Sequence, residues 1–176
     1  MLQTIVKHFV AVPSALTSEM RLGVTDMAQT LAAVRSRGSR VCVCGNGGSA
    51  ANAAHLVLHL RDVGLKAIDL GADLAWLTAS ANDVGYEQVF RRGLLSHGSG
   101  PEDLLIVISG SGNSPNILEA LEYAVVHDIP RWGLLGMGGG KAVCVCDGAV
   151  VVDSGDYGII EDIHSVCIHA LHKALA

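Results

Sequence analysis

Short apolar runs alternate with helical stretches along most of this chain, and that alternation limits the folds open to it. "VCVCG" (41–45), "KAIDL" (66–70), "DLLIVIS" (103–109), "RWGLLG" (131–136) and "GAVVVD" (148–153) read as strands, several of them bounded by glycine or aspartate. Residues 48–61, 83–94 and 114–128 read as helices between them, with Asn113 or Ser114 as the cap of the last. Residues 3–12 and 16–37 form helices before the first strand, broken near Pro13, and 159–175 close the chain. Strands alternating with helices predict an α/β fold, a central parallel sheet flanked by helices and wound with right-handed crossovers. Half of the 176 residues are hydrophobic but only 4% are aromatic, so small aliphatic side chains pack a sheet covered on both faces. That length suits a single domain, 1–176, with a substantial core.

The formal net charge is −5 and no lysine/arginine cluster occurs, which argues against direct nucleic-acid binding. The start is amphipathic rather than basic-then-apolar, and no apolar run approaches the ~18 residues of a membrane span. A cytoplasmic location with no membrane partner is the expectation. A charged fraction of 16% points to surface buried against other subunits. Cys42 and Cys44, like Cys144 and Cys146, are spaced C-x-C rather than the C-x₂₋₄-C of structural zinc, and are expected to pack as small buried hydrophobes, while Cys167 stands alone.

Ligands of open parallel sheets bind at the carboxyl ends of strands. Two polar glycine-rich loops lie there, "GNGGS" (45–49) and "SGSGNS" (109–114). The first fits a dinucleotide fingerprint, with Asp69 as the acid at the end of the next strand. The second supplies Ser109, Ser111 and Ser114 at a helix start, and Asn46 and Ser49 add polar groups from the first. Hydroxyls, free backbone N–H groups and a helix dipole suit a phosphate monoester. Two capped turns with no ligand are the plainer alternative.

His55 and His59 stand four apart on a helix, so their rings share a face. Glu161, His164 and His169 lie along the closing helix. If the two groups meet, imidazoles and a carboxylate suit zinc; if not, these are hydrogen-bonded core histidines.

"GNGGSAANAAH", "ASANDVGYEQVF", "SGSGNSPNILEALEYA" and "EDIHSVCIHAL" together resemble the sugar isomerase (SIS) domain family, in its phosphoheptose isomerase branch. The resemblance covers nearly the whole chain. It implies a three-layer flavodoxin-like fold, a homo-oligomer (a tetramer in most members) to which residues 1–37 contribute, and active sites between subunits. It further implies an aldose–ketose isomerase acting on a phosphorylated sugar, sedoheptulose 7-phosphate going to a heptose 7-phosphate. The implied substrate residues are Asn46, Gly47, Ser49, Asp83, Ser109, Ser111 and Ser114.

The same resemblance implies one zinc per subunit, at His55, His59, Glu161 and His169. The family pattern has glutamate where His59 stands and glutamine where Glu161 stands, so the two departures keep the total ligand charge. Moving a proton between C1 and C2 through an enediolate needs a base and an acid, for which His59, Glu161 and His169 are the candidates. A metal would polarise the carbonyl. A family aspartate is Gly158 here, which leaves Asp156 as the nearest carboxylate, and the segment "RDVGLK" is shortened. Two rivals remain: a non-catalytic SIS adaptor of the kind that binds a replication initiator, and a nicotinamide-dependent oxidoreductase, which would need Asp69 to face a ribose.

Overall fold

The computed structural model describes residues 2–176. Its five strands are β1 (Arg40–Gly45), β2 (Lys66–Asp69), β3 (Leu104–Ser109), β4 (Arg131–Gly136) and β5 (Gly148–Val152). They form one parallel sheet in the order β2-β1-β3-β4-β5, the flavodoxin-like arrangement expected. The helices are α1 (Leu2–Ser14), α2 (Ser18–Arg37), α3 (Gly48–Asp62), α4 (Leu74–Val84), α5 (Val89–Ser96), α6 (Pro115–Val126) and α7 (Tyr157–Leu175).

Successive side chains of a strand point to opposite faces, and each central strand serves two cores. Val41, Val43, Ile106 and Ile108 pack with Leu31, Leu56, Ile163 and Leu171 from α2, α3 and α7. Cys42, Cys44, Leu105 and Val107 face the other way, against Phe90, Leu94, Ile117 and Leu121 from α5 and α6. All of these are buried, and each large aliphatic contributes on the order of 1.5–3 kcal/mol. The winding reverses between β1 and β3, which pair directly, Gly45 opposite Ile108. The loops that leave these two strands therefore emerge side by side, at the switch point where such sheets bind ligands.

The structure corrects several expectations. Residues 74–82, for which no helix was expected, are helical as part of α4; Asp73 caps it, its side chain accepting the Trp76 N–H at 2.9 Å. The helix expected over 83–94 is instead interrupted at Gly85, whose φ of 103° suits glycine alone, and resumes as a 3₁₀ turn at Tyr86–Gln88 followed by α5. The first helix continues one residue past Pro13. Cys42 and Cys44 are buried as expected, and Cys167 is buried as well, but Cys144 is exposed and Cys146 partly so. These last two lie outside the strands, Cys144 ending a 3₁₀ turn, so strand alternation never applied to them. Among the described residues no helix is long and apolar enough to cross a membrane.

Candidate functional site

The two glycine-rich loops enclose a cavity of about 290 Å³, lined by Asn46, Gly47, Gly48 and Ser49 on one side and Ser109, Gly110, Ser111 and Ser114 on the other. Tyr157 and Glu161 of α7 close it. The N-termini of α3 and α6 both open here, so unpaired N–H groups and two positive dipole ends face one space. Asn46 and Asn116 join the loops by reciprocal amide bonds: Asn46 Nδ2 donates to Asn116 Oδ1 at 2.8 Å, and Asn116 Nδ2 donates to Asn46 Oδ1 at 2.9 Å. Tyr86 Oη–H donates to the same Asn46 oxygen at 2.8 Å.

The three serines differ. Ser109 is buried and its Oγ accepts the Gly112 N–H at 3.1 Å, so it shapes the loop. Ser111 Oγ accepts the Asn113 N–H at 3.2 Å. Ser114 occupies the N-cap of α6, yet its side chain makes no capping bond, which leaves the hydroxyl to a ligand. Gly112, at φ 62°, packs so closely on Gly139 that a Cβ would run into the Gly139 carbonyl.

A second feature lies along the same two helices. α3 and α7 run parallel, with Asn52 Nδ2 donating to the Glu161 carbonyl at one end and His172 meeting Asp62 at the other. Between these ends three imidazoles converge. His55 Nε2 lies 2.9 Å from His169 Nε2 and 3.2 Å from His59 Nε2. His55, His59 and His169 each offer a ligand atom within 4.8 Å of the others. A ring nitrogen carries one in-plane lone pair or one proton. His55 Nε2 therefore cannot make a good bond to both neighbours at once, whereas a single cation satisfies all three. Tetrahedral zinc with Zn–N near 2.0–2.1 Å sets ligand nitrogens roughly 3.3 Å apart, so the donor set fits that metal. Burial, and the repulsion from His55, His172 and His169, hold His59 below the ordinary histidine range, favouring the neutral form a metal needs.

A sequence profile described as "SIS domain" matches residues 6–134, more than half of the chain. This chain belongs to the SIS domain family. Its relatives place it in the phosphoheptose isomerase branch. It is similar to the phosphoheptose isomerase of Nitratidesulfovibrio vulgaris (strain Miyazaki F), 37% identical over 154 residues that cover 84% of this chain and 74% of that one. It is likewise similar to the phosphoheptose isomerase of Helicobacter pylori (strain P12), 43% identical over 138 residues, 75% of this chain and 71% of that one. The solved phosphoheptose isomerase GmhA of Neisseria gonorrhoeae superposes with a TM-score of 0.92 at 30% identity, covering 99% of this chain and 98% of that one.

The remaining residues singled out in the sequence fall into place around this SIS domain in different ways. Glu161, expected as the fourth ligand, stands outside the histidine group; its carboxylate lies against Gly48 at the cavity, where a Cβ on that glycine would strike it. Asp83 is exposed near the end of α4, accepts from Asn82 Nδ2 at 3.1 Å, and does not line the cavity. Asp156 caps α7, accepting the Gly158 N–H at 2.8 Å. Asp69 accepts the Gly71 N–H at 2.8 Å, and burial raises its pKa. His164 is a core residue: its Nε2 bonds the Leu135 carbonyl at 3.2 Å, and burial lowers its pKa to about 4. Sequence reasoning missed Tyr86, Asn116, Tyr157, Asp62 and His172, none of which carries a local signal; each matters only through its partner across the fold.

Proposed function

We propose that this SIS domain is a metal-assisted aldose–ketose isomerase of a phosphorylated sugar, with sedoheptulose 7-phosphate and a heptose 7-phosphate as the pair interconverted. The sugar-phosphate isomerase class follows from the relatives' names. The observation that carries the finer reading is the placement of the hydroxyl-lined cavity and the histidine cluster along one pair of parallel helices, α3 and α7. An anion held by the loops thereby directs the rest of the molecule past Glu161.

His55, His59 and His169 would hold one zinc, leaving an open position as catalytic zinc sites do. Zinc bound there supplies a Lewis acid for the sugar carbonyl. Ser114, with Ser111 and the N–H groups at the starts of α3 and α6, binds the phosphate. Glu161, at the cavity and outside the histidine group, takes the proton that moves between C1 and C2. His59 and His169, candidates for acid–base work from sequence, serve in this reading as ligands. An adaptor has no use for three converging imidazoles, and the bond Asp69 makes to Gly71 engages one of the oxygens a ribose would need.

The reading includes a cytoplasmic homo-oligomer. No residue of α1 is buried, and Leu2, Ile5, Val6, Phe9 and Val10 stand exposed on it, which supports residues 1–37 meeting other copies. The deciding experiment measures metal content and conversion of sedoheptulose 7-phosphate together, before and after chelation and zinc reloading. Activity that falls and returns with about one zinc per subunit supports the proposal; zinc-reloaded protein holding no metal and converting no sugar phosphate ends it.

A further inference from the structure

One turn beyond the histidine cluster, α3 and α7 carry a second pair of side chains that the proposed function does not use. Asp62 follows His59 by three residues and His172 follows His169 by three, so each projects from its helix on the same side as the ligand before it. His172 Nε2–H donates to Asp62 Oδ2 at 2.7 Å. The His172 ring lies against that of His59, centroids 4.5 Å apart and planes tilted by 38°.

We propose that Asp62 and His172 act as positioning residues for His59 in metal binding, a proposal that rests on reading the three histidines as a metal site. An imidazole is a demanding ligand because its lone pair lies in the ring plane, so a rotated ring turns the lone pair away from the metal. A carboxylate ligand offers two equivalent oxygens and would need no such support. Here the His172 ring packs on the ring of His59, and the Asp62 carboxylate fixes His172. The same bond spans the two helices, setting the gap across which His55 and His59 face His169. Support of the fold is a poor account of this pair: Asp62 is 67% exposed, and exposed pairs contribute about 0–1 kcal/mol.

The test uses the full chain and its Asp62→Ala, His172→Ala and double variants, stripped of metal and reloaded with cobalt or zinc. Three quantities are read: zinc affinity by chelator competition, the visible absorption bands of bound cobalt, and the Tm of the metal-free protein. The single variants should bind zinc about 10–100-fold more weakly, as for lost support of a metal-ligating histidine. Their cobalt bands should shift, and the double variant should lose no more than the worse single one, since the pair acts as a unit. Metal-free Tm should stay within about 2 °C of the parent. Parental affinity and cobalt bands in both single variants overturn the proposal, as does an affinity loss matched by a large fall in metal-free Tm. A parent chain that binds neither metal overturns the metal reading itself, a result distinct from either.

Discussion

His55 Nε2 and His169 Nε2 lie 2.9 Å apart although 114 positions separate them in the chain. Two nitrogens so placed share at most one proton, and His59 brings a third to the same point at 3.2 Å from His55. Zinc added to metal-free protein should therefore stabilise it. At a hundredfold excess over Kd the gain is about 2.7 kcal/mol, or roughly 5–10 °C in Tm for a chain of this size. His55→Ala and His169→Ala should abolish both the Tm shift and stoichiometric zinc. Retention of one zinc by both variants would place the metal elsewhere.

Glu161 tests the division between holding a metal and moving a proton. Glu161→Gln should lower kcat by at least ~10²-fold while zinc content stays near the parent's, because the carboxylate stands outside the histidine group. Loss of zinc in that variant would make Glu161 a ligand instead. Unchanged turnover would remove it from the chemistry.

The serines of the second loop should separate binding from stability. Ser114→Ala should weaken sugar-phosphate binding by about 1–3 kcal/mol and move unfolding stability by less than about 0.5 kcal/mol, since its hydroxyl caps nothing. Ser109→Ala should do the reverse, costing about 1–3 kcal/mol of stability by leaving the Gly112 N–H unpaired. Calorimetric titration with a sugar phosphate, alongside denaturant unfolding, reads both.

Burial of His164 makes the fold sensitive to acid. Its pKa is about 4 in the native state and about 6.5 when unfolded, so between those values the unfolded chain binds more protons and stability falls as pH falls. From pH 6.5 to 5 the expected loss is about 2 kcal/mol, and it levels off below about pH 4. His164→Gln, although less stable at pH 7, should show a flatter decline over that range by urea unfolding. An equally steep decline in the variant would assign the acid sensitivity to other groups.

The sheet and most helices were legible because their signals are local: β-branched runs, a cap, a glycine stop. Residues 74–82 escaped because their Ser, Thr and Ala mix lacks a clear helical stripe, with Leu74 itself exposed, although Asp73 was a visible cap. Serine-rich loops and a four-residue histidine spacing were equally legible. The Asn46–Asn116 and Asp62–His172 bonds were not, since each needs the parallel packing or strand pairing that brings distant segments together. Glu161 shows the same limit from the other side. Eight residues of helix separate it from His169, roughly 12 Å of rise, and only the packing against α3 decides which of two neighbouring spaces its carboxylate enters.

The contact of Gly112 with Gly139 means that the serine-loop wall of the cavity is built of main chain against main chain. Its shape is inherited with the fold rather than with any particular side chains, and it has little room to vary. The histidine end is made only of side chains on two rigid rods, where one side chain can replace another and leave the scaffold untouched. The molecule is therefore unevenly evolvable: a mutational library aimed at new sugars or new metals should spare the loops and randomise the seam between α3 and α7.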